Sequence, residues 1–383
     1  MSHDPKLSLA ELETETTPTR VEPLLNEPVV VDRTERIQSA LETQTDQNKV
    51  QFLPRFEEYL GGATFDAQTG RYAEVSPERK AEIEKDLGEL GELMAGADFG
   101  WWLDGAINVS LYQEDGNFIR DHKDVDMSIS VDNLPALEKQ LYARGSAIVY
   151  VDRDRYTETE RCLEIVSADE IKERNLGKLQ IVRLNADGKI SSNSDQLNFI
   201  DLHVLQRGAD GSVTIPYSGV TFPKEYFETN HTHVAKNGRS IHLSHPAIVA
   251  YHKVESGRDY DFSDITLMRG MLSDADVRML ENIFQKEPER ILERYSPVIK
   301  NAFDQLNPEM SDAEIISVLE QTGISQDPDA AAFIKNFPRY LHTHSEMTSE
   351  DFMQALFAEI KVTEKLGKRA QSKIDKLHKA LGR

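Results

Sequence analysis

The stretch from Asp124 to Val131 constrains this chain more than any other. Asp124, Asp126, Ser128 and Ser130 are polar and alternate without a break with apolar Val125, Met127, Ile129 and Val131. Successive side chains of a strand point to opposite faces. The spacing therefore predicts a strand with one buried face and two carboxylates side by side on the other. Like charges that close repel each other, and a divalent cation between them relieves the repulsion. Hard carboxylate oxygens suit Mg²⁺, which keeps waters and takes further ligands from nucleotide phosphates. Upstream, the apolar run Trp101 to Leu103 ends at Asp104-Gly105-Ala106, ahead of a predicted helix from Ile107 to Tyr112. Strand, glycine turn and helix start together set free backbone N–H groups where a phosphate can bind. The plain rival reading of Asp124 and Asp126 is a solvated face on an edge strand.

A third acid stands further along. In Asn198 to Thr214, Ile200, Leu202 and Val204 alternate with Asp201 and His203, and Asp210-Gly211 makes a hairpin turn. A carboxylate on a neighbouring strand can complete a metal site or take the proton from an attacking hydroxyl. Read alone, one strand aspartate is more often a surface residue. His203 either orients that carboxylate or plugs a half-buried strand.

The segment resembles the nucleotidyltransferases that modify lincosamide and aminoglycoside antibiotics, within the DNA polymerase β-like superfamily. Trp102-Leu103-Asp104-Gly105 is similar to their tryptophan, apolar residue, aspartate, glycine turn. Arg120-Asp121-His122-Lys123-Asp124-Val125-Asp126 is similar to their arginine, proline, histidine, variable residue and Asp-x-Asp. Ala106 stands where the family usually has a second glycine or a serine, Asp121 replaces the proline, and the gap from Gly105 to Asp124 is longer. The alanine leaves its N–H free, but its methyl narrows the approach. Pro246 opens a predicted helix carrying Lys253, followed by Arg258, Asp261 and Asp264, which resembles the family's lysine-bearing helix.

The resemblance implies an α+β fold with a nucleotidyltransferase-type mixed β-sheet core flanked by helices. It also implies a Mg²⁺-dependent enzyme that moves a nucleoside monophosphate from an NTP, ATP first among them, to an acceptor hydroxyl. In that reading Asp124, Asp126 and Asp201 are the catalytic and metal-binding residues. Gly105, Ala106, Arg120 and Lys253 steady the nucleotide, while Asp261 and Asp264 pair or cap structurally.

Net charge narrows the partners. At −22 over 383 residues, the surface repels polyanions and favours cationic acceptors. The family resemblance, together with this acidic surface, implies an acceptor like a small cationic antibiotic; a toxin-type enzyme modifying RNA or protein, and a non-catalytic nucleotide-binding or scaffolding protein, are the alternatives. The single cysteine, Cys162, excludes an internal disulfide and is expected to be a small buried hydrophobe. With no span-length apolar run and a polar, acidic N-terminus, the chain is expected to be cytoplasmic, with no membrane partner.

Three regions are expected. Residues 1–75 form an acidic extension, partly disordered, with a weak helix at Gln51 to Leu60. Residues 76–270 form the core, opening with a helix capped by Ser76 and Pro77 and followed by a helix from Leu134 to Ala143 capped by Asn133. Strands follow at Ala147 to Val151 and Leu179 to Leu184. Residues 271–383 form an α-helical domain, with helices over Ser273 to Phe303, Ser311 to Thr322, Asp327 to Leu341 and Ser349 to Leu381, and breaks at Pro288, Pro297, Pro308 and Pro338. The piece from Lys361 to Arg383 holds eight basic and two acidic residues. It is either a solvated docking helix or a local patch for a nucleotide or RNA. His231 with His233, and His342 with His344, lack further ligands at metal spacing and are expected to lie in ordinary polar loops.

Overall fold

The computed structural model describes residues 49–54, 65–66, 71–113, 118–121, 124–185, 187–191, 199–228, 231–307, 309–321, 331–344, 346–359 and 361–383. The expected acidic tail before residue 49 lies outside the described residues, as do His122, Lys123, Asn198, Pro308 and the start of the helix expected at Asp327.

The first elements correct an expectation. Val50–Pro54 is a strand, β1, where a weak helix is predicted, because Gln51 to Leu53 pair antiparallel with a later strand. Sheet pairing outweighs a weak helical pattern in so short a segment. A two-residue pair, β2 (Phe65–Asp66) and β3 (Arg71–Tyr72), follows. Helix α1 (Pro77–Leu93) begins as its sequence dictates: Ser76 Oγ accepts from the Arg79 N–H at 3.2 Å, and Pro77 occupies the first turn.

Next come β4 (Trp101–Asp104), α2 (Gly105–Tyr112), β5 (Val125–Ser130) and α3 (Leu134–Ala143). A short 3-10 turn, Val131–Asn133, precedes α3, and Asn133 makes no side-chain cap. Then follow β6 (Ser146–Asp152), β7 (Glu160–Ile165), α4 (Ala168–Glu173), β8 (Leu179–Arg183) and β9 (Phe199–Arg207). The charged piece from Asp152 to Gly177 thus holds both a strand and a helix. The core closes with β10 (Val213–Ile215), β11 (Val220–Phe222), β12 (Thr232–Val234), β13 (Ser240–His242), α5 (Pro246–Ser256) and α6 (Asp259–Leu267).

Among the described residues, nine strands form one mixed sheet. Its main path runs β1-β7-β6-β8-β9-β10-β11, while β5 pairs with β9 and β4 with β5. The β5–β9 pairing is parallel, and the other pairings of this sheet are antiparallel. Val125, Met127 and Ile129, at most 3% exposed, join Ile83, Leu87 and Leu90 of α1 and Leu134, Leu137 and Leu141 of α3 in one core. Each such burial stabilises by about 1.5–3 kcal/mol. That anchors one face of β5, so the alternation leaves Asp126 no choice of side.

Beyond the core the described chain is helical: α7 (Asp274–Gln285), α8 (Glu287–Gln305), α9 (Asp312–Gln321), α10 (Ala331–His344), α11 (Ser349–Glu359) and α12 (Val362–Leu381). Pro288 stands at the start of α8 as an expected break, whereas Pro297 and Pro338 lie inside α8 and α10. The long last helix expected from Ser349 is two helices, divided at Lys361 with φ +53°. No helix among the described residues is long and apolar enough to cross a membrane.

Ile291, Tyr295, Phe337, Phe352 and Leu356 build a second hydrophobic centre among α8, α10 and α11. The last helix returns to the sheet domain instead: Ile374, Leu377 and Leu381 pack with residues of α5, α6 and α7. Its basic residues meet acids there. Lys373 Nζ, 8% exposed, bonds Glu287 Oε1 at 2.7 Å and Glu255 at 2.9 Å, Arg369 pairs with Glu287 at 3.3 Å, and Arg383 pairs with Asp274 at 2.8 Å. Removing one partner of a buried pair strands the other charge. Lys373→Ala is therefore expected to lose about 3 kcal/mol of stability in urea titration, with Lys373→Met/Glu287→Met recovering most of it.

Candidate functional site

Register builds the site. Asp104 of β4 stands opposite Asp126 of β5, and Asp126 stands opposite Asp201 of β9. Directly opposed residues share a face, with Cβ atoms about 5 Å apart, so three aspartates form a row across three strands. The next row is Trp102, Ser128 and His203. Asp124 lies just before β5, exposed, and its charge still bears on Asp126. The structure thus sets Asp126 beside Asp201 and adds Asp104, which the sequence pattern shows only as part of a turn, while Asp124 stands outside the row.

Asp104 is 2% exposed and heavily supported. Ser128 Oγ donates to its Oδ2 at 3.0 Å, and the Gly105 N–H donates to its Oδ1 at 2.9 Å. His203 Nδ1 lies 3.6 Å and His252 Nε2 3.9 Å from Oδ2, longer than hydrogen bonds; the His203 imidazolium is close enough for ionic attraction, whereas burial lowers the His252 pKa and keeps that ring neutral. Burial opposes its charge, yet His203, His252 and the Gly105 N–H hold its carboxyl well below the usual range.

Asp126 behaves oppositely. Burial first, then repulsion from Asp124, Asp201 and Asp104, pushes it up to about 7 despite His203 Nε2 at 3.9 Å. His203, between Asp104 and Asp126, is raised to about 9: burial disfavours the imidazolium, and the carboxylates Asp104, Asp126 and Asp201 outweigh it. The site lies deep in the protein, yet 41% of the His203 side chain and 23% of Asp126 meet solvent. Asp201 accepts from Gln180 Nε2 at 2.6 Å, across the β8–β9 pair. His252 Nδ1 shares a hydrogen bond of 2.8 Å with the Tyr217 hydroxyl. Its other ring nitrogen faces Asp104, which favours the Nε2–H tautomer.

Gly105 has a sharper role than cradling phosphate. Its φ is +72°, and a Cβ there would overlap Asp126 Oδ2. The glycine makes room for the carboxylate. Buried Ala106 begins the helix beside it, and Asn108 Nδ2 ties the Leu103 carbonyl (3.1 Å) to that of Ser244 (3.0 Å), fixing α5 against the end of β4.

Two expected nucleotide ligands are committed elsewhere. Lys253 is 6% exposed, with Nζ paired to Asp264 and 3.6 Å from Asp261. Arg120 Nε lies 3.6 Å from Asp264, and its guanidinium sits 5.8 Å from the Tyr72 ring and 5.4 Å from the Tyr260 ring. The Tyr72 hydroxyl donates to Asp264 at 3.0 Å, which ties β3 to α6. Asp261 caps α6 by accepting from the Arg258 N–H at 3.2 Å and from its Nε at 2.8 Å. Lys253 in this arrangement neutralises two buried acids, so its charge is not free for a phosphate.

The histidines expected in polar loops lie on regular elements instead, His233 on a strand and His342 and His344 on α10. His342 pairs with Asp312 at 2.9 Å, His344 stacks on Tyr340, and His233 lies on β12. Cys162 is a buried free thiol. Among residues missed by sequence reasoning, His252 had a signal, one position before Lys253 on a helix opened by Pro246. Gln180 and Tyr217 had none, because only pairing and loop packing bring them in.

Oxygen donors dominate the row, and their mutual repulsion at Asp126 is the demand a hard cation satisfies. Among the described residues no group of three side chains converges closely enough to cage a metal alone. Comparison of the chain with family models, with curated proteins and with solved structures finds no match.

Two outcomes check this geometry. A carboxyl raised from 3.8 to about 7 costs folding stability above pH 7, and the cost disappears as pH falls through 7 towards 4. Asp126→Asn, without divalent cation, should therefore stabilise by about 2 kcal/mol at pH 8 and by nearly nothing at pH 4, read from melting midpoints. Gly105→Ala should instead lower the melting midpoint at both pH values, because it meets both the positive φ and the Asp126 carboxylate.

Proposed function

We propose that this protein is a nucleotidyltransferase, with the core fold of that superfamily, which joins a nucleoside monophosphate to an acceptor hydroxyl and releases pyrophosphate. The row Asp104–Asp126–Asp201 carries the reading. Three acids far apart in sequence share one face of adjacent strands, beside the glycine turn that the resembling family places there.

Asp124 and Asp126 would hold Mg²⁺ with the NTP phosphates. When bound, that ion supplies charge neutralisation at the phosphoryl oxygens. Asp201, oriented by Gln180, accepts the proton of the acceptor hydroxyl. The acceptor oxygen forms its bond to the α-phosphorus while the bond from that phosphorus to the bridging oxygen of pyrophosphate breaks. Asp104 stays ionised and holds His203 and His252 in place around the row. Gly105 keeps Asp126 close to the N-terminus of α2; the Gly105 N–H is taken by Asp104, so the N–H groups from Ala106 onward are the local backbone donors for phosphate. Arg120 and Lys253 both face Asp264, so neither is assigned to the triphosphate in this reading.

The ion pairs of Lys373, Arg369 and Arg383 with acids of the body count against the last helix as an RNA surface. A non-catalytic nucleotide binder would keep the cation site but has no need of the Gln180-oriented Asp201. Incubation with α-labelled ATP, Mg²⁺ and hydroxyl acceptors provides the test. Asp201→Asn should lower kcat by about 10²–10⁴-fold with the KM for ATP near wild type. Unchanged kcat in that variant would remove the proposed base.

A further inference from the structure

A cavity of about 330 Å³ opens beside the carboxylate row, on the far side of His203. Leu176, Ile215 and Pro216 contribute apolar walls, and His203, His252 and Tyr217 supply the polar end. His203 separates it from Asp201 by two residues on one strand face, about 7 Å. No carboxylate lines the cavity, and Lys172 is its lysine. A polycation entering it would be desolvated without a countercharge. The acidic surface as a whole acts at range, on encounter; the lining decides what stays bound.

We propose that this cavity is the acceptor site and that it takes an uncharged alcohol or phenol built on one small ring, its hydroxyl directed past His203 towards Asp201. The proposal rests on the transferase reading and deepens it. Its size, at the low end for ligand pockets, suits a compact molecule rather than a polymer. The ring packs on Leu176, Ile215 and Pro216, while the Tyr217 hydroxyl and the imidazoles orient the ligand's oxygen. Its proton passes to Asp201 and its oxygen to the α-phosphorus, with pyrophosphate leaving.

Gly177 gives a clean block. It lines the cavity, its φ is not positive, and nothing lies within 4 Å of where its Cβ would stand, so Gly177→Phe fills the opening without touching the carboxylates. Ligand-observed NMR with 4-methylphenol and benzyl alcohol, against the ring-sized polyamine 2-deoxystreptamine, reads binding directly. The expected result is preference for the uncharged pair and about tenfold or greater weakening in Gly177→Phe, with the affinity for Mg·ATP unchanged. Preference for 2-deoxystreptamine, or binding that Gly177→Phe leaves intact, overturns the proposal. Pyrophosphate release separates it from the transferase reading. Release that depends on Asp126 but ignores Gly177→Phe leaves the reading standing and sinks the cavity as acceptor site. Binding in the cavity with no Asp126-dependent release sinks the acceptor assignment and the reading together.

Discussion

Electrostatic crowding on one sheet face is the constraint from which the rest of this structure follows. Asp104, Asp126 and Asp201 cannot all carry charge side by side in a recessed site without compensation. The protein resolves the conflict unequally. Asp104 receives a hydroxyl, a backbone N–H and two imidazoles and stays charged, whereas Asp126 is buried against three other aspartates and is driven towards neutrality. A carboxyl held in that state costs the fold stability.

Such a face needs a rigid backing. Val125, Met127 and Ile129 supply it by burying the opposite side of β5 against α1 and α3, and Asn108 locks the β4–α2 turn to the start of α5. Gly105 then lets the turn approach the Asp126 carboxylate more closely than any side chain would permit. A residue suited by its pattern to phosphate binding turns out to be required first for packing. The two roles are compatible, because the same missing Cβ that admits the carboxylate leaves the adjoining backbone bare.

Charge elsewhere shows why composition is a poor guide to local partners. The basic run at the C-terminus looks like an anionic docking patch in one dimension, but Lys373 and Arg369 converge on Glu287, and Arg383 reaches Asp274. Lys253 is a similar case: its helix placement fits a phosphate ligand, and Asp261 and Asp264, one helix further on, claim its ammonium. In both places, pairing between elements distant along the chain consumes charge that the sequence shows as available.

What the sequence by itself determined is the periodicity and its chemistry. The two-residue alternation around Asp126, the Ser76 cap with Pro77, and the Pro246 start of α5 follow from local rules and hold in the structure. Other elements depended on partners that no local pattern contains. Val50–Pro54 became a strand because β7 offers an edge, Pro297 and Pro338 were absorbed into helices, and the last helical stretch divided at Lys361. Only the tertiary structure decided that Asp104, Gln180, His252 and Tyr217 belong with Asp126 and Asp201. The parallel β5–β9 pairing sets the register that aligns two of the acids, and a shift of one residue would have turned Asp201 to the opposite face.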